Sequence, residues 1–298
     1  MNYKFFICLL ISNFVFSQSV KLEERLPLDY EVYRDTNEKK LKKEYEYLNS
    51  LQFYGFDYKS FDNLKIRGFL IQPKKEGKYP VIVFNRGGNR ELGLVSIQMM
   101  TDFLGKIAEQ GFIVMGSQLR GSGLSEGQDE FGGKDINDVL SILDIIKTLP
   151  NADQSRIGMI GISRGVMTNF LVLKETDVIK SCISIAGIAD LDQKDRADMK
   201  SLYQQLIPGY NENPKLELEK RSPLIAIEKM KRKSSSHFII HGAKDEKVNV
   251  SNAFDLYQKL SQNNISARLK IYEDENHGIN SHTDELLTDI SNWFKTKL

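Results

Sequence analysis

Arg156-Ile157-Gly158-Met159-Ile160-Gly161-Ile162-Ser163-Arg164-Gly165 is the stretch on which the reading of this chain turns. The apolar run Ile157 to Ile160 has the composition of a buried strand, and Val166 to Leu173 that of an apolar helix. Between them stands Gly161-Ile162-Ser163-Arg164-Gly165, a G-x-S-x-G turn. Strand, turn and helix in that order form a nucleophile elbow. The turn is too tight for side chains beside the serine, hence glycine at both ends. The hydroxyl then sits at a helix N-terminus, where free N–H groups favour a developing negative charge. Ser163 is the expected nucleophile.

The same pattern recurs in Gly123-Leu124-Ser125-Glu126-Gly127. That copy lies in a run of Gly, Ser, Asp and Glu, with no strand directly before it and no helix directly after it. Context therefore assigns Ser125 to a loop.

Working outward, strands and helices alternate. Strand 81–84 precedes helix 96–110, strand 112–116 precedes helix 136–149, and strand 157–161 leads into the elbow helix. Strand 182–186 precedes a long polar segment; strand 238–241 precedes helix 251–263, and strand 267–272 the final helix 284–297. Such alternation predicts an α/β fold: a mostly parallel central sheet with helices on both faces, its site at the carboxyl ends of the strands. Before it, 53–58 and 65–72 read as two strands joined by a turn. Leu41, Tyr45, Leu48 and Leu51 recur at helical spacing, which predicts an amphipathic helix over 38–51. The expected organisation is an extension over 18–60 and a catalytic domain over 61–298, with 190–220 as a small cap.

Composition sets the class. The 298 residues are 41% hydrophobic and 27% charged, which is globular, and the net charge of +1 makes no case for nucleic acid or a membrane surface as partner. Residues 1–17 combine Lys4, the short apolar run 5–11 and a small residue before Gln18. That pattern reads as a secretory signal cleaved after Ser17, and implies an exported protein. The alternative is a membrane anchor, but the apolar run is shorter than the roughly 20 residues of a span and Ser12 and Asn13 interrupt it. Cys8 lacks the small residues before it that a lipoprotein needs. Cys182, in an apolar strand, reads as a buried small hydrophobe. No C-x-x-C or H-E-x-x-H pattern exists, so neither metal nor cofactor is expected.

A serine needs a base within hydrogen-bond reach, and the base needs an orienting partner. Of the four histidines, His277 follows strand 267–272 across a short acidic loop, at a strand's carboxyl end. His282 begins the final helix, His237 begins a strand and His241 ends one, the last as a structural histidine. Asp245, just past strand 238–241, falls between Ser163 and His277, the order Ser, Asp, His expected of this fold. Asp190 and Asp192 are the alternative acids; Asp274 is too close to His277 along the chain. An oxyanion hole needs two donors. The N–H of Arg164 is one, and the loop Asn85-Arg86-Gly87-Gly88-Asn89 offers Gly88 first and Gly87 second. Tyr203 and Tyr210 in the cap either line a substrate pocket or pack onto the core. The Arg164 side chain either meets a substrate carboxylate or forms a structural ion pair.

From about residue 65 onward the chain resembles the α/β-hydrolase fold, and within it the catalytic domain of the prolyl oligopeptidase family of serine peptidases. The residues that carry the resemblance are Arg120-Gly121-Ser122-Gly123, Gly133-Lys134-Asp135, Asp153-Gln154-Ser155-Arg156-Ile157-Gly158, Arg221-Ser222-Pro223 and 238–248. The resemblance implies hydrolysis of an ester or peptide bond through an acyl-enzyme. Carboxylesterases and acetyl esterases share most of the pattern, and a catalytically silent binding protein is a further alternative. Departures are specific. Val166 stands where the family has glycine, Arg86-Gly87-Gly88-Asn89 replaces the usual His-Gly-Gly-Pro, and Asn249 replaces a proline. Fewer than 50 residues separate the expected signal from the catalytic domain, so the family's β-propeller is not expected and its peptide specificity does not carry over.

Overall fold

The computed structural model describes residues 26–27, 41–192 and 198–298. The expected signal over 1–17, extension residues 18–25 and 28–40, and cap residues 193–197 lie outside the described residues.

Among the described residues, nine strands form one sheet: β1 (Leu26–Pro27), β2 (Leu51–Lys59), β3 (Lys65–Pro73), β4 (Tyr79–Asn85), β5 (Ile113–Ser117), β6 (Ala152–Ile162), β7 (Ile179–Ile185), β8 (Ser236–Gly242) and β9 (Ala267–Tyr272). Their spatial order is β1-β2-β3-β5-β4-β6-β7-β8-β9. The run from β5 to β9 is parallel, and β1, β2 and β3 extend it antiparallel at one edge.

The central strands carry apolar runs, such as 81–84 of β4 and 157–162 of β6, because both sheet faces are covered there. Successive side chains alternate between two cores: Val81 and Val83 of β4 join one, Ile82 and Phe84 the other. On the first face lie α3 (Asp135–Ile146), α4 (Arg164–Glu175) and α8 (Ser251–Gln262), contributing Val139, Phe170 and Leu256. On the second lie α1 (Ile97–Met99), a π-helical turn (Met100–Gly105), α2 (Lys106–Glu109) and α9 (Thr283–Lys297), contributing Leu104, Ile107, Leu286 and Phe294. Between β7 and β8 lie α5 (Lys200–Leu206), α6 (Pro214–Lys220) and α7 (Pro223–Glu228), the first two within the expected cap segment. Cys182 is buried in β7, and burial pushes its thiol pKa up. Among the described residues, no helix is long and apolar enough to cross a membrane.

One expected helix differs. The described part of 38–51 is a 3-10 helix, Lys43–Ser50, and Leu51 opens β2 instead. Leu51 pairs with Pro73 across the full-length β2–β3 ladder. Sheet pairing there overrides the local helical spacing.

The sheet topology places the site. From β4 the chain moves outward to β5 and then returns to β6 on the other side, a reversal that opens a crevice at the strand ends. Asn85 of β4 pairs with Gly161 of β6, so the loop after β4 emerges beside the elbow. Gly242 of β8 pairs with Tyr272 of β9, so the loops carrying Asp245 and His277 also emerge side by side.

Candidate active site

Ser163 stands between β6 and α4 with φ +56° and ψ −120°, a backbone that L residues avoid. Its N–H bonds the Ile185 carbonyl at 2.9 Å, and its carbonyl accepts from Val166 N–H at 3.0 Å. The flanking glycines are required by close approach. A Cβ on Gly165 would lie 2.0 Å from the Asn85 carbonyl oxygen, and one on Gly161 2.3 Å from that of Gly165. Arg164 is the first residue of α4, so its N–H has no acceptor inside the helix.

His277 Nδ1 lies 2.7 Å from Asp245 Oδ2. Asp245 Oδ1 accepts from the N–H groups of Lys247 and Val248, each at 2.9 Å. A further partner is His241, fully buried at the end of β8, whose Nε2 is 2.8 Å from the Val248 carbonyl and 3.1 Å from Asp245 Oδ2. A carbonyl only accepts, so the His241 proton sits on Nε2 and is shared with the carboxylate. Burial opposes the Asp245 charge, but hydrogen bonds from His241, His277 and Val248 outweigh it and hold the carboxyl below its usual range. The Asp245 carboxylate only accepts, so a His277 proton sits on Nδ1.

Ser163 and His277 line one cavity of about 380 Å³ together with Gly88, Arg164, Val248 and Leu202. Gly87 borders the serine: a Cβ there would lie 3.1 Å from Ser163 Cβ and 3.7 Å from its Oγ. Gly88 has φ +69°, which glycine tolerates, and its carbonyl accepts from Arg164 Nη1 at 3.1 Å.

The structure separates the remaining sequence candidates. Ser125 Oγ accepts from Arg67 N–H at 2.9 Å, tying its loop to β3. Asp190 is engaged by Asp192 N–H at 3.3 Å. His282 Nδ1 pairs with Glu275 Oε1 at 2.8 Å, a bond that raises its pKa. His237 is buried, stacked on Phe170 with ring centroids 5.6 Å apart, and burial lowers its pKa to about 3.

Two alternatives left open for the pocket fall on the structural side. The Arg164 guanidinium forms an ion pair with Asp129 and Asp135. It is buried, donates to both oxygens of Asp129 at 2.7 Å and to Asp135 Oδ2 at 2.9 Å, and lies 4.4 Å from the Phe131 ring centroid. Burial disfavours its charge, and the two carboxylates restore it. Tyr203 and Tyr210 belong to the core rather than the cavity wall, with Tyr203 packed between Phe131 and Tyr210. The face of α5 decides this: Leu202 and the preceding Met199 turn to the cavity while Tyr203 and Leu206 turn inward. His241 reads as a structural histidine, but only its i,i+4 spacing hints at the contact with Asp245, and nothing along the chain marks Asp129 as the partner of Arg164.

Comparison with known proteins identifies the family and the fold. The sequence model of the prolyl oligopeptidase family matches residues 98–298. The uncharacterized peptidase YtmA of Bacillus subtilis is 28% identical over 204 residues, 67% of this chain and 77% of the relative. The uncomplexed acylaminoacyl peptidase of Pyrococcus horikoshii superposes with a TM-score of 0.69 at 25% identity, covering 84% of this chain and 42% of that one. An esterase of Pyrococcus furiosus superposes with a TM-score of 0.65 at 20% identity, covering 83% of this chain and 93% of that one, a likeness of fold. The chain thus spans less than half of the acylaminoacyl peptidase it resembles.

Proposed function

The chain belongs to the prolyl oligopeptidase family and is a serine hydrolase; on that premise we propose that it is exported and cleaves small esters or short peptides through Ser163, His277 and Asp245. The observation that carries the reading is the 2.7 Å bond between His277 and Asp245 on the cavity that Ser163 also lines.

Ser163 Oγ attacks the substrate carbonyl while His277 Nε2 takes its proton. Asp245 holds the imidazole in the required tautomer and stabilises the imidazolium that forms. The oxyanion is held by the N–H groups of Arg164 and Gly88. His277 returns the proton to the leaving group, and an acyl-Ser163 intermediate remains. Water, deprotonated by His277, then releases the acid and restores the serine.

The pocket and not the triad selects between ester and amide, because both pass through the same tetrahedral intermediate. The purified protein is tested against short acyl esters, acetylated sugars and aminoacyl amides, with a fluorophosphonate as the active-site probe. Turnover of one class with labelling at Ser163 is expected. No turnover and no labelling would make the chain a silent hydrolase-fold binding protein. Export through residues 1–17 rests on their sequence, and a mature N-terminus at Gln18 in mass spectrometry is the expected result.

A further inference from the structure

Arg86, in the loop after β4, is 2% exposed. A guanidinium carries five N–H donors in one plane. Nε donates to the Gln118 carbonyl at 2.9 Å, and Nη1 to the Gly87 and Leu92 carbonyls at 3.2 and 2.9 Å. Nη2 donates to the Arg90 carbonyl at 2.8 Å and to Ser122 Oγ at 2.6 Å. All the donors are used, and none of these bonds ends on a carboxylate. The buried Arg120 and Arg164 differ, since both pair with aspartates. Arg86 is a buried cation held by four carbonyls and one hydroxyl, three of those carbonyls from the loop that borders Ser163.

That arrangement orients peptides. In a trans peptide the C=O of one residue and the N–H of the next point in opposite directions. With the Gly87 carbonyl drawn to Arg86, the Gly88 N–H faces out of the loop. Gly87 itself abuts Ser163, so this N–H emerges beside the serine. Arg164 Nη1 holds the Gly88 carbonyl, which anchors the next peptide as well.

We propose that Arg86 is a positioning residue for the oxyanion hole: by gathering the carbonyls of Gly87, Arg90 and Leu92 it aims the Gly88 N–H at the oxyanion formed on Ser163. The proposal rests on the hydrolase reading above. A fixed donor costs no reorganisation when charge develops, so it acts on the transition state more than on the bound substrate. The cation also orders the loop's dipoles with their negative ends inward.

The test compares wild type, Arg86→Lys and Arg86→Ala on a short p-nitrophenyl ester, at a temperature where circular dichroism shows each folded. Both variants are expected to lose about 10- to 100-fold in kcat with KM within about twofold. Affinity for a trifluoromethyl ketone, which mimics the tetrahedral adduct, should fall in parallel. Millimolar guanidinium chloride should restore part of kcat to Arg86→Ala. Arg86→Lys keeps the charge and most of the volume, and it decides the matter if Arg86→Ala does not fold. A folded variant with wild-type kcat and ketone affinity would overturn the positioning role alone. A wild type inert to esters, amides and fluorophosphonate would overturn the hydrolase reading, and this role with it.

Discussion

Asp245 Oδ2 lies 2.7 Å from His277 Nδ1, although 32 residues separate the two along the chain. Their loops leave adjacent parallel strands, β8 and β9, at the paired residues Gly242 and Tyr272. The carboxylate also accepts from His241, Lys247 and Val248. Donors from two histidines and two backbone N–H groups keep it ionised and leave it one orientation.

Asp245→Asn puts an amide in that place. Its NH2 would face His277 Nδ1 and shift the imidazole proton to Nε2, where it blocks attack by Ser163. A loss of about 10³- to 10⁴-fold in kcat on an active ester is expected, with native circular dichroism. A variant within tenfold of wild type would remove Asp245 from the triad.

The same carboxylate links stability to pH. Its folded pKa lies below its unfolded value, about 3.9 for aspartate. The stabilisation is therefore present above that pH and is lost as pH falls through the folded value. The gap in thermal midpoint between wild type and Asp245→Asn should be widest near pH 6 and narrow steadily below pH 4. A gap independent of pH would show that Asp245 does not titrate as described.

Ser163 holds φ +56° at a cost of order 1–3 kcal/mol. Ser163→Ala keeps that strain and removes the hydroxyl, with a loss of at least about 10³-fold in kcat. Ser163→Gly should be equally inactive yet more stable than Ser163→Ala by about 1 kcal/mol in urea unfolding. Equal stabilities would argue against a strained elbow.

Arg164→Met leaves Asp129 and Asp135 buried without their guanidinium. Removing one partner of such a network costs about 3–5 kcal/mol, measured by denaturant unfolding. A small loss would mean that solvent reaches the two carboxylates.

Leu202 lines the cavity and the neighbouring Tyr203 does not. Leu202→Trp should raise KM for a bulky acyl ester roughly tenfold, with little change for an acetyl ester. Tyr203→Phe should leave both values within about twofold. The reverse pattern would place the substrate against the tyrosines.

What was readable in the sequence follows from local physics. The part of a strand covered on both faces must be apolar, and 81–84 of β4, 157–162 of β6 and 238–240 of β8 are. The elbow needs glycine where backbones nearly touch, and Gly161 and Gly165 mark it. The two G-x-S-x-G copies differ in their flanking elements, which separated Ser163 from Ser125 before any fold was known. The 3-10 turn at Lys43–Ser50 shows the limit, since spacing alone does not register the pull of the β2–β3 ladder.

By itself the sequence determined the alternation of strands and helices, the serine at its turn, and a short roster of acids and histidines at strand ends. Only the tertiary structure decided which of them meet. Asp190, Asp192 and Asp245 all follow strands, but only Asp245 leaves the strand beside that of His277. Arg164 reads as a charge near a site and Arg86 only as part of the glycine loop, and burial turned one to Asp129 and the other to its own loop's carbonyls. The reason is range. Periodicity and glycine sterics act within a few residues, whereas the pairing of buried polar groups depends on which strands adjoin.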